Sequence, residues 1–362
     1  MQVKPFVVDI PVSAITDLHL RLDLTRWPER EPVDDWSQGT PLAALQELAA
    51  YWRSGYDWYA CQSLLNGWGM FETEIDGLAI RFHHRIELNS AVIDRLSNPL
   101  TDPLAHGGTA DDAFHLVIPC LPGYGFSGKP SVTGWSVQKI AAVWGELMAR
   151  LGYDQWLAQG GDWGSAVTTA IAAMKVEGCI GVHLNMPIAR PLPEDLVAPD
   201  AGELKALAAL QHYQDWDSGY SKEQATRPQT VGYSLVDSPV GLAGWIHEKM
   251  WAWTDNNGAP EDALTRDDIL DNIMLYWLTA AGASSARLYW ESFASFGAAQ
   301  IDIPLAASIF PKEIIPAPRK WFERHCSQLV HWGELEKGGH FAAWEQPEAF
   351  VKELRTAFSL MR

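Results

Sequence analysis

Apolar residues first recur at helical spacing, as in Leu42, Leu45, Leu48, Ala49 and Trp52, while Pro5, Pro28, Pro32 and Pro41 interrupt the pattern. Residues 1 to about 70 therefore read as an irregular wrapping extension with one or two helices. From Phe71 the period becomes two. Phe71–Ile75 and Leu78–Phe82 alternate around Asp76-Gly77, which predicts a hairpin. Further strands are expected at 114–120, 156–160, 179–185, 307–311 and 329–335, with helices at 137–151 and 165–176 between the first four. Strands alternating with helices predict βαβ units and an α/β class fold on a mostly parallel sheet. Between Pro191 and Gln300 the pattern turns almost wholly helical. Ser238-Pro239 and Thr265-x-x-Asp268 mark helix starts. That block reads as a helical lid inserted between two strands. The expected organisation is an extension over 1–70, a core over 71–190 and 301–362, and a lid over 191–300. Pro347–Leu360 reads as the closing helix.

The 362 residues correspond to roughly two domains. Hydrophobic residues make up 47% and charged residues 20%, a composition that packs rather than stays disordered. With 27 Lys+Arg against 45 Asp+Glu, the net charge is −18. Such a surface repels phosphate backbones and anionic lipid heads, which argues against nucleic-acid partners. No apolar run approaches the ~18 residues of a membrane span, and Asp9, Asp17 and Asp23 spoil any signal-peptide pattern near the start. Cys61, Cys120, Cys179 and Cys326 lie far apart and read as reduced thiols of a cytoplasmic protein. His83-His84 would point to opposite faces of a strand, and His247-Glu248 lacks the second histidine of a zinc helix. Gly123-Tyr124-Gly125 lacks the third glycine of a dinucleotide fingerprint. The 18 tryptophans are expected to pack the lid and the extension.

The informative string is Gly160-Gly161-Asp162-Trp163-Gly164, between an apolar strand and an Ala/Val/Thr-rich helix. It has the nucleophile-elbow pattern, in which small residues let a strained turn lift one side chain above the sheet. Aspartate stands where ester hydrolases carry serine. Gly338-Gly339-His340-Phe341 follows the last expected strand, which suits the order nucleophile, acid, histidine. The acid should lie beyond the preceding strand, and Asp302 and Glu313 both qualify.

With these motifs the chain resembles the microsomal-type epoxide hydrolases of the α/β-hydrolase superfamily. The resemblance covers nearly the whole chain. Its strings include Thr25-Arg26-Trp27-Pro28, Tyr56-Asp57-Trp58, Leu121 through Ser127, Asp237 through Leu242 and Gly338 through Ala343. In that family the acid sits in a segment similar to Phe310-Pro311-Lys312-Glu313-Ile314, so the resemblance selects Glu313. It also implies two lid tyrosines, Tyr220 and Tyr289, from the strings Ser218-Gly219-Tyr220 and Arg287-Leu288-Tyr289-Trp290-Glu291. The implied activity is detoxifying hydrolysis of a small hydrophobic epoxide to a vicinal diol.

Bond chemistry fits that set. A carboxylate, with a pKa of about 3.9, is already ionised and can displace at a saturated carbon. An aspartyl ester can then be cleaved by water, whereas a serine ether could not. The leaving alkoxide needs a proton, which a phenol can supply. His340, oriented by Glu313, activates the water, and the backbone N–H of Trp163 serves the oxyanion. The chemistry requires neither metal nor organic cofactor. A homodimer is compatible with the sequence and not required by it. Two rival readings stand beside this one: a haloalkane dehalogenase, and a catalytically dead homologue that binds a ligand.

One family feature is missing. A strand ending in a His-Gly-x-Pro loop normally precedes the Leu-Pro-Gly-Tyr-Gly-Phe-Ser string. Here the chain runs from Arg81–Arg85 through Ile86–Asn89 and Val92–Leu96 without it, and His106-Gly107-Gly108 has no following proline. The resemblance implies a deletion of about twenty residues. Either the segment 78–88 fills the vacated mid-sheet slot in altered register, or the sheet is disrupted. The lost loop also supplies one oxyanion donor, typically worth about 10²–10³ in rate. The expectation is an enzyme that alkylates Asp162 and hydrolyses the ester slowly.

Overall fold

The computed structural model describes residues 2–85, 97–295, 297 and 299–362. A short strand, β1 (Lys4–Phe6), leads into α1 (Val12–Asp23), α2 (Leu42–Ser54) and α3 (Trp58–Gly67). The extension thus carries three helices, one more than its spacing predicts. The third is opened by Asp57, whose carboxylate accepts the Tyr59 N–H, an ordinary N-cap. Leu18, Leu48, Trp52 and Trp58 are buried with Leu242, Met250, Ile269 and Ile273, so the extension shares its core with the lid.

The hairpin forms as expected. β2 (Met70–Ile75) and β3 (Leu78–Arg85) pair antiparallel with Ile75 opposite Leu78. Asp76 and Gly77 between them have φ of 50° and 76°, the two left-handed residues that a tight hairpin turn demands. His83 and His84 have separate neighbours, Trp68 for the first and Phe71, Phe82 and Tyr153 for the second. After α4 (Ser97–Thr101), β4 (Leu116–Pro119) pairs antiparallel with β3. There follow α5 (Val137–Arg150), β5 (Trp156–Gly160), α6 (Asp162–Ala173) and β6 (Cys179–Leu184). The lid contributes α7 (Ala201–His212), a π-helical turn (Tyr213–Asp217), α8 (Gly219–Thr226), α9 (Pro228–Asp237), α10 (Pro239–Trp253), α11 (Arg266–Leu278) and α12 (Gly282–Ser292). Ser238 caps α10 ahead of Pro239, and Thr265 with Asp268 forms the capping box of α11, both as expected. The chain closes with β7 (Leu305–Ile309), α13 (Arg319–Glu323), β8 (Leu329–Glu334), α14 (Ala342–Glu345) and α15 (Pro347–Ser359). No helix among the described residues is long and apolar enough to cross a membrane.

The described strands make two four-stranded sheets, antiparallel β1-β2-β3-β4 and parallel β5-β6-β7-β8. Among the described residues no strand lies between β4 and β5, which matches the second of the two expected outcomes, a disrupted sheet. Leu78–Arg85 stays in regular register between β2 and β4 and does not move into the slot. Ile86–Leu88, the remainder of that segment, lie outside the described residues. Among the described residues β4 and β5 each have a strand on one side only, and Ile118 of β4 is 45% exposed.

Two helices hold the halves together. On α5, Val137, Ile140 and Ala141 pack with Trp156, Ala158 and Trp163 of the parallel half. Val143 and Leu147, further along the same helix, pack with Ile75, Ile80 and Phe82 of the antiparallel half. Elsewhere, Phe350, Leu354 and Phe358 of α15 share a core with Leu100, Phe114 and Leu116 beside β4 and with Leu157 of β5. Each fully buried Val, Leu, Ile or Phe among them contributes about 1.5–3 kcal/mol. Helix packing therefore does the joining that ladder hydrogen bonds do in a continuous sheet.

Candidate active site

Every side chain expected to do chemistry comes from the parallel half or from the lid. β5 runs into α6 with only Gly161 between them. A Cβ on Gly160 would lie 2.0 Å from the Gly164 carbonyl oxygen, and one on Gly161 would press into the Asn185 side chain at 2.6 Å. Both positions must be glycine. A Cβ on Gly164 would meet nothing outside its own helix turn, so the second small residue of the motif is not demanded here. Asp162 itself has a φ of 48°, a left-handed conformation that costs an L residue about 1–2 kcal/mol. The strain lifts the carboxylate off the sheet, and its side chain remains 48% exposed. Helix α6 begins at Asp162 and not at Ser165, where its apolar stripe suggested.

The ends of β7 and β8 bring the other two members together. Beyond the strands, the Lys312 N–H donates to the Gly338 carbonyl at 3.1 Å, and Lys312 bridges Gly339 in parallel fashion. Glu313 and His340 therefore follow adjacent positions on two paired loops. His340 Nδ1 lies 2.7 Å from Glu313 Oε1, with both side chains buried. His340 Nε2 lies 3.8 Å from Asp162 Oδ2, beyond hydrogen-bond length and within ion-pair range. Asp302, the other candidate acid, does not join them; it faces Lys175 at 3.3 Å near the surface. Burial alone would lower the His340 pKa, but Glu313 and Asp162 outweigh it and push it up to about 10. With Asp162 ionised, the imidazole is charged at neutral pH.

Tyr220 at the start of α8 and Tyr289 in α12 stand with their rings 5.8 Å apart and nearly perpendicular. Tyr289 also meets the Trp163 ring edge-to-face at 4.8 Å. Asp162, Tyr220 and Tyr289 line one cavity of about 550 Å³. Met186, Ile188, Leu210, Phe293, Ile314 and Trp321 give it apolar walls. Burial pushes both phenols well above their ordinary pKa, with Tyr289 raised further by Asp162. Each is therefore a neutral O–H donor at physiological pH. Among the described residues no group of three or more His, Cys, Asp or Glu side chains could hold a metal.

Sequence reasoning missed the residue that fastens the histidine loop. Glu345 accepts the N–H of Gly339 and of Phe341, both at 3.0 Å, and that of Asp255 at 2.6 Å. The His340 N–H donates to the Trp253 carbonyl at 2.8 Å, and the Gly338 N–H to Asp255 Oδ2 at 3.0 Å. A Cβ on Gly339 would strike the same Trp253 carbonyl at 2.4 Å, which explains that glycine. Two of its partners lie four and six residues back, but the bond to Asp255 spans 90 residues, and no capping or periodic pattern marks Glu345 in the sequence.

Comparison with known proteins fits this arrangement. Residues 3–100 match the family described as "Epoxide hydrolase N terminus", and residues 102–232 match the "alpha/beta hydrolase fold" family. A protein of Stigmatella aurantiaca, provisionally named an epoxide hydrolase, is 50% identical over 99% of this chain and 86% of its own length. That alignment runs over 378 positions against the 362 residues here, so the relative carries residues with no counterpart in this chain. "Epoxide hydrolase 1" of Sus scrofa is 31% identical over 99% of this chain and 89% of its own. The solved epoxide hydrolase of Aspergillus niger superposes with a TM-score of 0.87 at 29% identity, covering 100% of this chain and 97% of that one. This chain belongs to the microsomal-type epoxide hydrolase family, on the α/β-hydrolase fold.

Proposed function

We propose that the protein opens hydrophobic epoxides to vicinal diols through an ester on Asp162. A carboxylate oxygen of Asp162 attacks a ring carbon, the carbon–oxygen bond of the strained ring breaks, and Tyr220 or Tyr289 protonates the departing oxygen. Water then adds to the ester carbonyl while His340 takes its proton. The tetrahedral intermediate collapses, its carboxyl proton passing to the departing alkoxide to give free diol and regenerated carboxylate, and the proton held by His340 returns through solvent to the phenolate left by ring opening. The new oxygen enters the carboxyl group, and the diol keeps the former Asp162 oxygen. The observation that carries this reading is the meeting of one strained carboxylate and two phenols at an apolar cavity, with a carboxylate-held imidazole 3.8 Å behind.

The charge on His340 changes along this path. In the free protein Asp162 helps to keep the imidazole protonated, and ester formation removes that negative charge. Burial is then opposed by Glu313 alone, the imidazole deprotonates more readily, and a base becomes available when hydrolysis needs one.

Ester hydrolysis is the weaker step in this proposal. Trp163, the second residue of α6, carries the oxyanion donor, and no described strand between β4 and β5 ends in a partner loop. The test is intact-mass measurement after mixing with styrene oxide. The expected result is a persistent adduct of one epoxide mass on Asp162. Rapid steady diol formation without adduct would contradict slow hydrolysis, and neither adduct nor diol would contradict the whole reading. We place the protein in the cytoplasm on the ground that its four cysteines are unpaired, which fractionation of the source cells would check.

A further inference from the structure

Tyr220 separates two cavities. One holds Asp162; the other, of about 1270 Å³, shares Tyr213, Tyr220 and Ile314 with the first. On the second side Lys249 of α10, only 14% exposed, sets its ammonium 4.8 Å from the centre of the Tyr220 ring and 5.2 Å from that of Trp253. The ammonium is fixed by Asp217 Oδ1 at 2.5 Å and Glu248 Oε2 at 2.9 Å. The Trp253 indole N–H donates to the other Asp217 oxygen at 2.6 Å. Asp217 ends the π-helical turn that leads into Tyr220, so one carboxylate fastens both the cation and the indole beside the phenol.

A lysine that only filled space would be a costly choice. An ammonium is strongly hydrated, and well-packed apolar residues commonly replace a buried ion pair without loss of stability. Here the cation is mostly buried at the cavity wall and held against the ring of a group whose charge changes in the proposed reaction. Tyr289 has no such neighbour among the described residues: its ring meets Trp163, Tyr220 and Phe293.

We propose that Lys249 is a positioning residue for epoxide opening, its ammonium stabilising the negative charge that grows on Tyr220 as the phenol protonates the leaving oxygen. A cation is already attracted to a neutral phenol ring. The attraction strengthens as the proton departs, so it favours the transition state over the ground state. Asp217 and Glu248 hold the ammonium in place and also reduce its field, which makes the effect moderate. Tyr220 becomes the stronger acid of the pair and Tyr289 the donor that orients the ring oxygen.

The inference rests on the epoxide reading, and a double-mutant cycle on the alkylation step tests it. The rate constant for adduct formation with styrene oxide is measured in single turnover by intact mass. Being first order, it does not depend on what fraction of a destabilised variant is folded. Lys249→Met should slow alkylation about tenfold, and Lys249→Arg, which keeps the cation, should recover most of that loss. In a Tyr220→Phe background, where Tyr289 remains as donor, Lys249→Met should change the rate less than about twofold. Unchanged alkylation in Lys249→Met overturns the proposal. So does an equal loss in the Tyr220→Phe background, or a Lys249→Arg as slow as Lys249→Met. A wild-type protein that takes no label at all overturns the epoxide reading instead, a separate result.

Discussion

Under the proposed mechanism, the two halves of the molecule differ in what they give to catalysis. The parallel half, β5 to β8, provides Asp162, Trp163, Glu313 and His340, and each of its strands pairs with the next in parallel. The described residues of the antiparallel half, β1 to β4, provide none of the proposed reacting groups, and the resemblance implies a second oxyanion donor at its border with the other half. Opening the epoxide needs only the intact half and the lid tyrosines. Cleaving the ester needs the border as well. A break between the halves should therefore separate two chemical steps that a continuous sheet keeps in balance.

The predictions test that separation, strongest first. Asp162→Asn should lower the alkylation rate at least about 10⁴-fold, as nucleophile losses do, with no adduct by mass. His340→Gln should leave alkylation within a few-fold of wild type and lengthen the life of the ester about 10²–10⁴-fold. If both steps fell together in that variant, the division of labour would be wrong. A chimera that restores a His-Gly-x-Pro strand and loop ahead of β4 should speed ester breakdown about 10²–10³-fold and leave alkylation alone. Tyr289→Phe should slow alkylation about 10- to 100-fold, with ester breakdown unchanged.

The pH dependence is the smallest effect. Ester breakdown should accelerate as pH rises and the His340 of the ester form loses its proton, while alkylation stays flat. In the free protein the raised His340 pKa stabilises the fold fully below its unfolded value of about 6.5. That contribution is lost as pH climbs toward about 10. The melting-temperature gap between wild type and His340→Gln should therefore narrow from pH 6 to pH 10.

The features legible in the sequence were those written in local chemistry. Asp76-Gly77 fixes a hairpin because two left-handed residues fit no other connection as well, and Thr265 with Asp268 caps a helix by reaching three residues along. The elbow at Asp162 was legible because Gly160 and Gly161 have no room for a Cβ. The choice between Asp302 and Glu313 was not legible in local pattern and came only from the family resemblance: Asp302 precedes β7 and Glu313 follows it, and the pairing of two loops brings Glu313 to His340. Strand β7 begins two residues before its pattern suggested because Leu305 and Ala306 are both buried, which leaves no alternation to read. Glu345 reaches Asp255 and Asp217 reaches Lys249 across other elements, and the alternation of polar and apolar positions carries no trace of such contacts.

Glu345 also bears on how a substrate can arrive. Through Asp255 it rivets the end of α10 to the loop that carries His340, and the Trp253 carbonyl adds a second fastening. The cover cannot swing away at that corner without unseating the base itself. The margin where α7 and the π-helical turn border the apolar chamber carries none of these fastenings, which makes it the expected side of entry. Bulk added at Leu210 should throttle entry, while bulk added near Asp255 should spare it and disturb the imidazole.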